Sequence, residues 1–300
     1  MPTRLKVTPT WYLSVGNTVQ INCTTTNTSE YKDKIDLQLV WTKMGPGERT
    51  KQVLVSQRAS TGISYVLGPV THEHQGVYTC DDDGSLPDIF VHDWHSFIWV
   101  EDASPRASID LISHNRIQFA HGENFTVSCQ LPDDNSQWKM MRNDVWTGNI
   151  TECPNQVSSG RNLSCTSRSQ YPWTDYVYWC ESSTGERSNA LNITTTIAVK
   201  AVLESPSLPV LEGEDVVLRC LTRDNTSKPF TPSSEAIFYK DDGTKWILTE
   251  GTLTLTAVTK ANEGFYECKK PLGEKSDKSW LSVTVRPKED QKEKSDTETS

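Results

Sequence analysis

The residues with the most chemistry to offer are eight cysteines, Cys23, Cys80, Cys129, Cys153, Cys165, Cys180, Cys220 and Cys268, in a chain of 300 residues. Their number is even, and long intervals of the kind a disulfide closes separate most of them. A reducing cytosol would keep such thiols free, so the expected location is extracellular: the cell surface or a secreted form. Of the six histidines, His72, His74, His92, His95, His114 and His121, only His92-Asp93-Trp94-His95 has a spacing that invites a metal. Strand residues three apart face opposite sides, so those two imidazoles diverge. Asp81-Asp82-Asp83-Gly84 offers carboxylates to a cation but lacks the alternating ligands and distant Glu of a calcium loop. It reads as a solvated acidic turn, or as charge that steers a basic partner. Because no set of titratable groups converges, the sequence points to no catalysis, no metal and no cofactor.

The elements that position the cysteines repeat three times. Val19, Ile21 and Cys23 alternate with Gln20 and Asn22, the period of a strand with one buried face. Leu37, Leu39 and Trp41 alternate next, and His74-Gln75-Gly76-Val77-Tyr78-Thr79-Cys80 then places a tyrosine two residues before a second cysteine. The middle of the chain repeats this as Phe125, Val127, Cys129, then Trp138, then Tyr178 and Cys180. The last third runs Val216, Leu218, Cys220, then Phe238-Tyr239, then Gly264-Phe265-Tyr266-Glu267-Cys268, with a different aromatic in place of the tryptophan. Paired cysteines, a tryptophan between them and a tyrosine two before the second are the marks of an immunoglobulin-like β-sandwich of about 100 residues. The expected fold is therefore all-β, three such domains in tandem, with Cys23–Cys80, Cys129–Cys180 and Cys220–Cys268 bridging their sheets.

Cys153 and Cys165 remain. Counting back 15 residues from the second core cysteine reaches Tyr65, Cys165 and Leu253, which puts Cys165 at an inward strand position with Cys153 on the segment before it. A fourth bridge between them is expected. Composition sets the boundaries: Glu101-Asp102-Ala103-Ser104-Pro105 is a linker, and Val199-Lys200-Ala201-Val202 a tighter junction. The domains are then 1–102, 103–199 with the extra disulfide, and 200–287. A charged tail or stalk without apolar residues follows over 288–300 and is expected to be disordered.

Seven Asn-x-Ser/Thr sequons, at Asn22, Asn27, Asn124, Asn149, Asn162, Asn192 and Asn225, agree with passage through the secretory pathway. Parity puts Asn22 and Asn124 on the outward faces of their strands. The N-terminus, Met1-Pro2-Thr3-Arg4-Leu5-Lys6, lacks the apolar core of a signal peptide, which conflicts with cysteines and sequons unless Met1 is not the natural start. No run of about 18 apolar residues occurs, so no membrane-spanning segment is expected in this chain. Net charge is −9 overall and −4, −2, −1 and −2 over the four segments in order, which lacks the basic excess that nucleic acid demands. Trp11, Trp94, Trp99, Trp146, Trp173 and Trp246 lie outside the core position and are expected mostly at sheet edges and domain junctions.

Residues 110–285 carry a closer resemblance. In the second domain it rests on Trp138-Lys139-Met140-Met141-Arg142, the Cys153 and Cys165 pair, Tyr178-Trp179-Cys180-Glu181-Ser182 and Ser188-Asn189-Ala190-Leu191-Asn192-Ile193-Thr194. In the third it rests on Val202-Leu203-Glu204-Ser205-Pro206, Leu208-Pro209-Val210-Leu211-Glu212-Gly213, Phe238-Tyr239-Lys240-Asp241, Glu263-Gly264-Phe265-Tyr266-Glu267-Cys268 and Ser279-Trp280-Leu281. These series resemble the Fc-receptor-like and leukocyte immune-type receptors of bony fishes, in the immunoglobulin superfamily. The first domain shows only the general pattern. Where that family has Asp-x-Gly before the tyrosine of the second domain, this chain has Thr174-Asp175-Tyr176, so the turn loses its acidic anchor and its glycine.

The resemblance implies recognition of immunoglobulin Fc, or a related immune surface protein, by loops of the third domain. Carried over by position, these are Asn225 to Ser234, the turn Lys240 to Gly243 with Lys240 and Asp241, and the loop Lys269 to Lys275, where Lys269, Lys270 and Lys275 suit an acidic partner. The alternative is an adhesion or inhibitory receptor for a cell-surface immunoglobulin-like or histocompatibility protein, with contacts in the first domain.

Overall fold

A computed structural model describes residues 3–8, 11–25, 35–43, 50–82, 95–101, 105–132, 138–145, 149–169, 175–196, 201–223 and 229–284. The described elements are strands and two single turns of 3-10 helix, His72–His74 and Lys260–Asn262. Residues 1–198 and 199–300 form two compact units.

The first unit holds two sandwiches. In the first, β1 (Thr3–Thr8), β2 (Tyr12–Ser14), β3 (Val19–Thr25), β4 (Ile35–Lys43), β5 (Lys51–Ala59), β6 (Gly62–Leu67), β7 (Gly76–Asp82) and β8 (His95–Glu101) divide into sheets β1-β3-β6 and β2-β8-β7-β4-β5. In the second, β9 (Ser108–Leu111), β10 (Gln118–Ala120), β11 (Asn124–Gln130), β12 (Trp138–Asp144), β13 (Asn149–Glu152), β14 (Val157–Ser159), β15 (Asn162–Arg168), β16 (Asp175–Ser182) and β17 (Leu191–Thr196) divide into β14-β15-β11-β9 and β10-β17-β16-β12-β13. In both, the first strand pairs in one sheet and the next crosses to run parallel with the last strand of the other. At that crossing in the second sandwich the buried Arg116 meets Glu123 at 3.1 Å and donates to the Gln118 carbonyl at 2.6 Å, so its charge is not left unpaired.

The second unit contains β18 (Val202–Glu204), β19 (Val210–Leu211), β20 (Val216–Thr222), β21 (Thr231–Pro232), β22 (Ala236–Lys240), β23 (Lys245–Leu248), β24 (Thr252–Leu255), β25 (Gly264–Lys269), β26 (Ser279–Leu281) and β27 (Val283–Thr284). Here β20 pairs with β18, β21 and β24, β23-β22-β25-β26 form the facing sheet, and β19 runs parallel with β27.

Each sandwich closes around a cystine that joins its sheets. Cys23–Cys80, Cys129–Cys180 and Cys220–Cys268 hold their Cα atoms 5.6, 6.5 and 5.8 Å apart, inside the range a disulfide spans. Cys153 is bonded to Cys165, Cα to Cα 6.3 Å, and ties the end of β13 to the inward side of β15 within the same core. The aromatic beside each cystine differs: Trp138 and Phe238 are buried, whereas Trp41 is half-buried over Tyr78 at 6.5 Å. In the third sandwich the indole comes from β23, where Trp246 stacks on Tyr266 at 6.1 Å and 21°.

Two of the three tyrosines form a tyrosine corner. Tyr78 donates to the His74 carbonyl and Tyr266 to the Asn262 carbonyl, each at 2.8 Å. The chain enters both strands on a glycine with positive φ, Gly76 at 153° and Gly264 at 151°; a Cβ on Gly76 would strike the Thr42 carbonyl. Tyr176 stands at that position in the second sandwich, and Tyr178 donates to Ser167 Oγ at 3.2 Å instead. The loss of Asp-x-Gly thus redirects the hydroxyl, and the core closes around a side-chain acceptor.

Replacing both Cys153 and Cys165 by serine should lower stability by about 3 kcal/mol, the chain-entropy value for their 12-residue interval, while the Cys129–Cys180 bond persists. Calorimetry with disulfide mapping checks both halves of that expectation. Burial, and after it Asp242 and Asp241, push the Tyr266 phenol up to about 12. An unfolded tyrosine ionises near 10, so the tyrosine's contribution is complete below pH ~10 and is lost as pH rises to ~12. Tyr266→Phe should cost about 1 kcal/mol at neutral pH and flatten the loss of stability across that alkaline window, as measured by urea unfolding at a series of pH values.

Candidate protein-binding face

Side chains alternate along a strand, so the residues that face the cystine fix which residues face away from it. In β7, Tyr78 and Cys80 point into the core and Val77 outward; in β8, Ile98 and Val100 point in and Phe97 and Trp99 outward. In β16, Tyr178 and Cys180 point in and Val177 and Trp179 outward. The outer face of an antiparallel sheet in water is polar as a rule. These outer residues are apolar and buried, Trp99 and Trp179 to 1 % exposure each, because the two five-stranded sheets of the first unit pack on one another through them.

Trp99 and Trp179 lie 5.5 Å apart at the centre of that contact. Phe97 and Trp11 continue the aromatic series on the first domain's side, at 6.4 Å from Trp99 and 6.5 Å from Phe97 respectively. A polar clamp closes one edge. Arg187 donates to Gln75 Oε1 at 2.6 Å and to Glu181 Oε2 at 3.2 Å, Glu181 accepts from Trp179 Nε1 at 2.9 Å, and Gln75 Nε2 donates to the Val100 carbonyl at 2.5 Å. Burial and then Glu101 raise the pKa of Tyr12, which keeps its phenol protonated beside this contact. Trp11 and Trp99 are thus packing residues at a domain junction. Val177, Trp179 and Arg187 are members of the contact that spacing alone did not single out. The signal was present in Tyr176-Val177-Tyr178-Trp179-Cys180, a run without polar alternation that marks a strand buried on both faces.

In the second unit, the sheet β23-β22-β25-β26 keeps much of its outer face in solvent. Ile247, Ile237 and Lys269 form one cross-strand row, and Ile247 is 71 % exposed. Lys245, Tyr239 and Glu267 form the next row. Lys275 lies over the Tyr239 ring at 4.0 Å and meets Glu267 at 3.2 Å, with Lys245 5.8 Å from the same ring. Phe265 and Trp280 pair edge to face at 4.8 Å beyond them. Leu272, at the tip of the loop after β25, is fully exposed.

The candidate loop residues do not form one site. Lys240 pairs with Tyr266, and the Asp241 amide donates to the Phe265 carbonyl, so the turn Lys240–Gly243 sits where β25 begins. Lys269 pairs with Ile237 at the other end, a separation of about 10 Å for three strand residues. The turn that shares an end with the Lys269–Lys275 loop is the one between β23 and β24. There the Gly251 carbonyl accepts from Cys220, and a Cβ on Gly251 would collide with Ser233. Lys240 is also committed internally: its ammonium donates to Asp242 at 2.9 Å and to the Ala261 carbonyl at 2.7 Å, and its side chain is only 10 % exposed. Hydrogen bonds from Thr244 and Lys240 hold the Asp242 carboxyl down at about 2. That leaves Lys269, half-buried in the Ile237 row, and Lys270, exposed in the loop, with Lys275 shared with Glu267.

Among the sequons, Asn124, Asn149 and Asn162 are exposed, and Asn22 and Asn192 are half-buried. Asn27, Asn225, Trp94, Trp146, Trp173, His92, Asp93 and the turn from Asp83 lie outside the described residues, as does the tail 288–300. Among the described residues no group of three His, Cys, Asp or Glu side chains is placed to hold a metal, and no helix is long and apolar enough to cross a membrane.

An immunoglobulin-domain family model matches residues 9–81, the stretch that carries β2 to β7 and the Cys23–Cys80 bond. The chain is three immunoglobulin-like domains in tandem. No curated protein matches it. Among solved structures, the Ig1–Ig3 ectodomain of mouse nectin-like molecule 4 is similar at 14 % identity and a TM-score of 0.24, over 92 % of this chain and 97 % of that one.

Trp179→Ala removes the centre of the contact between the first two domains. It should cost about 3 kcal/mol and split their joint thermal transition into two, a result read directly by calorimetry.

Proposed function

We propose that this chain is the extracellular part of an immune receptor, on the cell surface or secreted, that binds immunoglobulin Fc or a related acidic immune protein through its third domain. One observation carries the reading. The outer face of the sheet that carries the second core cysteine is present in all three domains, and the first two spend it on each other, whereas the third exposes Ile247 on it and Leu272 in the following loop, which also holds Lys270. Exposed apolar side chains with polar neighbours are the composition of a protein-docking surface, and cations at its rim favour an acidic partner through faster encounter. The resemblance of residues 110–285 to fish Fc-receptor-like proteins supports the same class of ligand. The end of the domain that holds the Lys269–Lys275 loop, Ser233 and the turn at Gly251 is the part to which we assign contact.

The adhesion alternative places contacts in the first domain, whose five-stranded sheet is covered by the second. That cover leaves it the sheet β1-β3-β6 and the connecting loops. Purified bony-fish immunoglobulin passed over the immobilised chain should bind at micromolar concentration or tighter. Reversing both charges, Lys269→Glu with Lys270→Glu, should weaken binding tenfold or more and do so less at high salt. Absence of binding at micromolar immunoglobulin overturns the reading.

A further inference from the structure

Beside the contact between the first two domains stands a residue that heads a glycosylation sequon. Across the outer face of the second domain, Ile150 pairs with Asn143, Asn143 with Val177, and Val177 with Asn192, one continuous row over four strands. Ile150 and Val177 pack in the apolar cluster shared with the first domain, and Val177 is 1 % exposed. Ala190, on the same face of the same chain segment, belongs to that cluster as well. Asn192 is therefore directly beside the closed contact, and it heads the sequon Asn192-Ile193-Thr194.

Its side chain is half-buried, and its Oδ1 is out of solvent with no hydrogen-bond partner; Asn143 Oδ1, in the same row, is in the same condition. Adjacent cross-strand side chains have Cβ atoms about 5 Å apart, less than the width of one sugar ring with its hydroxyl shell. A branched oligosaccharide on Asn192 is attached one cross-strand step from Val177, over which the first domain packs. Two amide oxygens left unpaired in this row subtract from what the contact gains by apolar burial.

We propose that N-glycosylation of Asn192 and closure of the first two domains exclude each other: the closed chain carries Asn192 unmodified, and a chain glycosylated there stays open. The transfer joins Asn192 Nδ2 to the anomeric carbon of an oligosaccharide carried on a lipid diphosphate. Nδ2 gives up one proton to a base, and the diphosphate leaves with the bonding electron pair. Because the transfer acts on the extended chain before it folds, occupancy at Asn192 decides whether Trp99 and Trp179 meet.

The test uses the full chain secreted from vertebrate cells, with glycan removal in heavy-oxygen water to mark each occupied asparagine and hydroxyl-radical footprinting of Trp99 and Trp179. Thr194→Ala, which abolishes the sequon and keeps Asn192, gives the closed reference, and the exposed Asn162 is the positive control for occupancy. In molecules with unmodified Asn192 the two tryptophans should be as protected as in Thr194→Ala; in molecules carrying a glycan there they should react at least tenfold faster. Glycosylated Asn192 with tryptophans still protected overturns the proposal. So does a Thr194→Ala chain in which they react as freely as in the glycosylated form, since closure would then not depend on the site.

Discussion

A cystine pinned between two sheets decides, by parity, the direction of every side chain on the strands it joins. Once Cys23, Cys80, Cys129, Cys180, Cys220 and Cys268 are inward, each residue one step away is outward and each two steps away is inward. The core clusters contain the inward sets, and the outward sets have a separate fate in each domain. The contact between the first two domains and the surface of the third are written on the outward faces.

Two of those faces are consumed within the molecule. Val77, Phe97 and Trp99 meet Val177 and Trp179, and the edge is closed by Arg187, Gln75 and Glu181. Apolar burial drives such a contact, while the charged hydrogen bonds at its rim fix the register of one sheet on the other. The first two domains therefore lie in one compact unit. The third domain uses its equivalent face differently, with two lysines near the Tyr239 ring, an edge-to-face Phe265–Trp280 pair and Ile247 left in solvent.

Charge on the third domain is also less available than its lysine count implies. Lys240 is folded into its own turn and Lys275 is divided between Glu267 and the Tyr239 ring. Each of these pairs removes a cation from the pool that a ligand can use. What remains for recognition is concentrated at one end of the sandwich, at Lys269 and Lys270 beside the exposed Leu272.

The sequence by itself determined the sandwiches. The spacing of Cys23, Trp41, Tyr78 and Cys80 and its repeats fixes strands and inward positions, because period-two alternation and a two-residue offset from cysteine to tyrosine are local properties of the chain. It could not determine that Trp99 faces Trp179, since residues 80 positions apart meet only once two complete sheets exist to present them. Nor could it assign Lys240 and Lys269 to opposite ends of one domain, which depends on the antiparallel register of β22 and β25. The redirected hydroxyl of Tyr178 belongs to the same class: the missing glycine was legible, but Ser167 became its acceptor only because β15 and β16 face each other across the core. Local spacing sets what each strand is, and the packing of finished sheets decides what each outward residue touches.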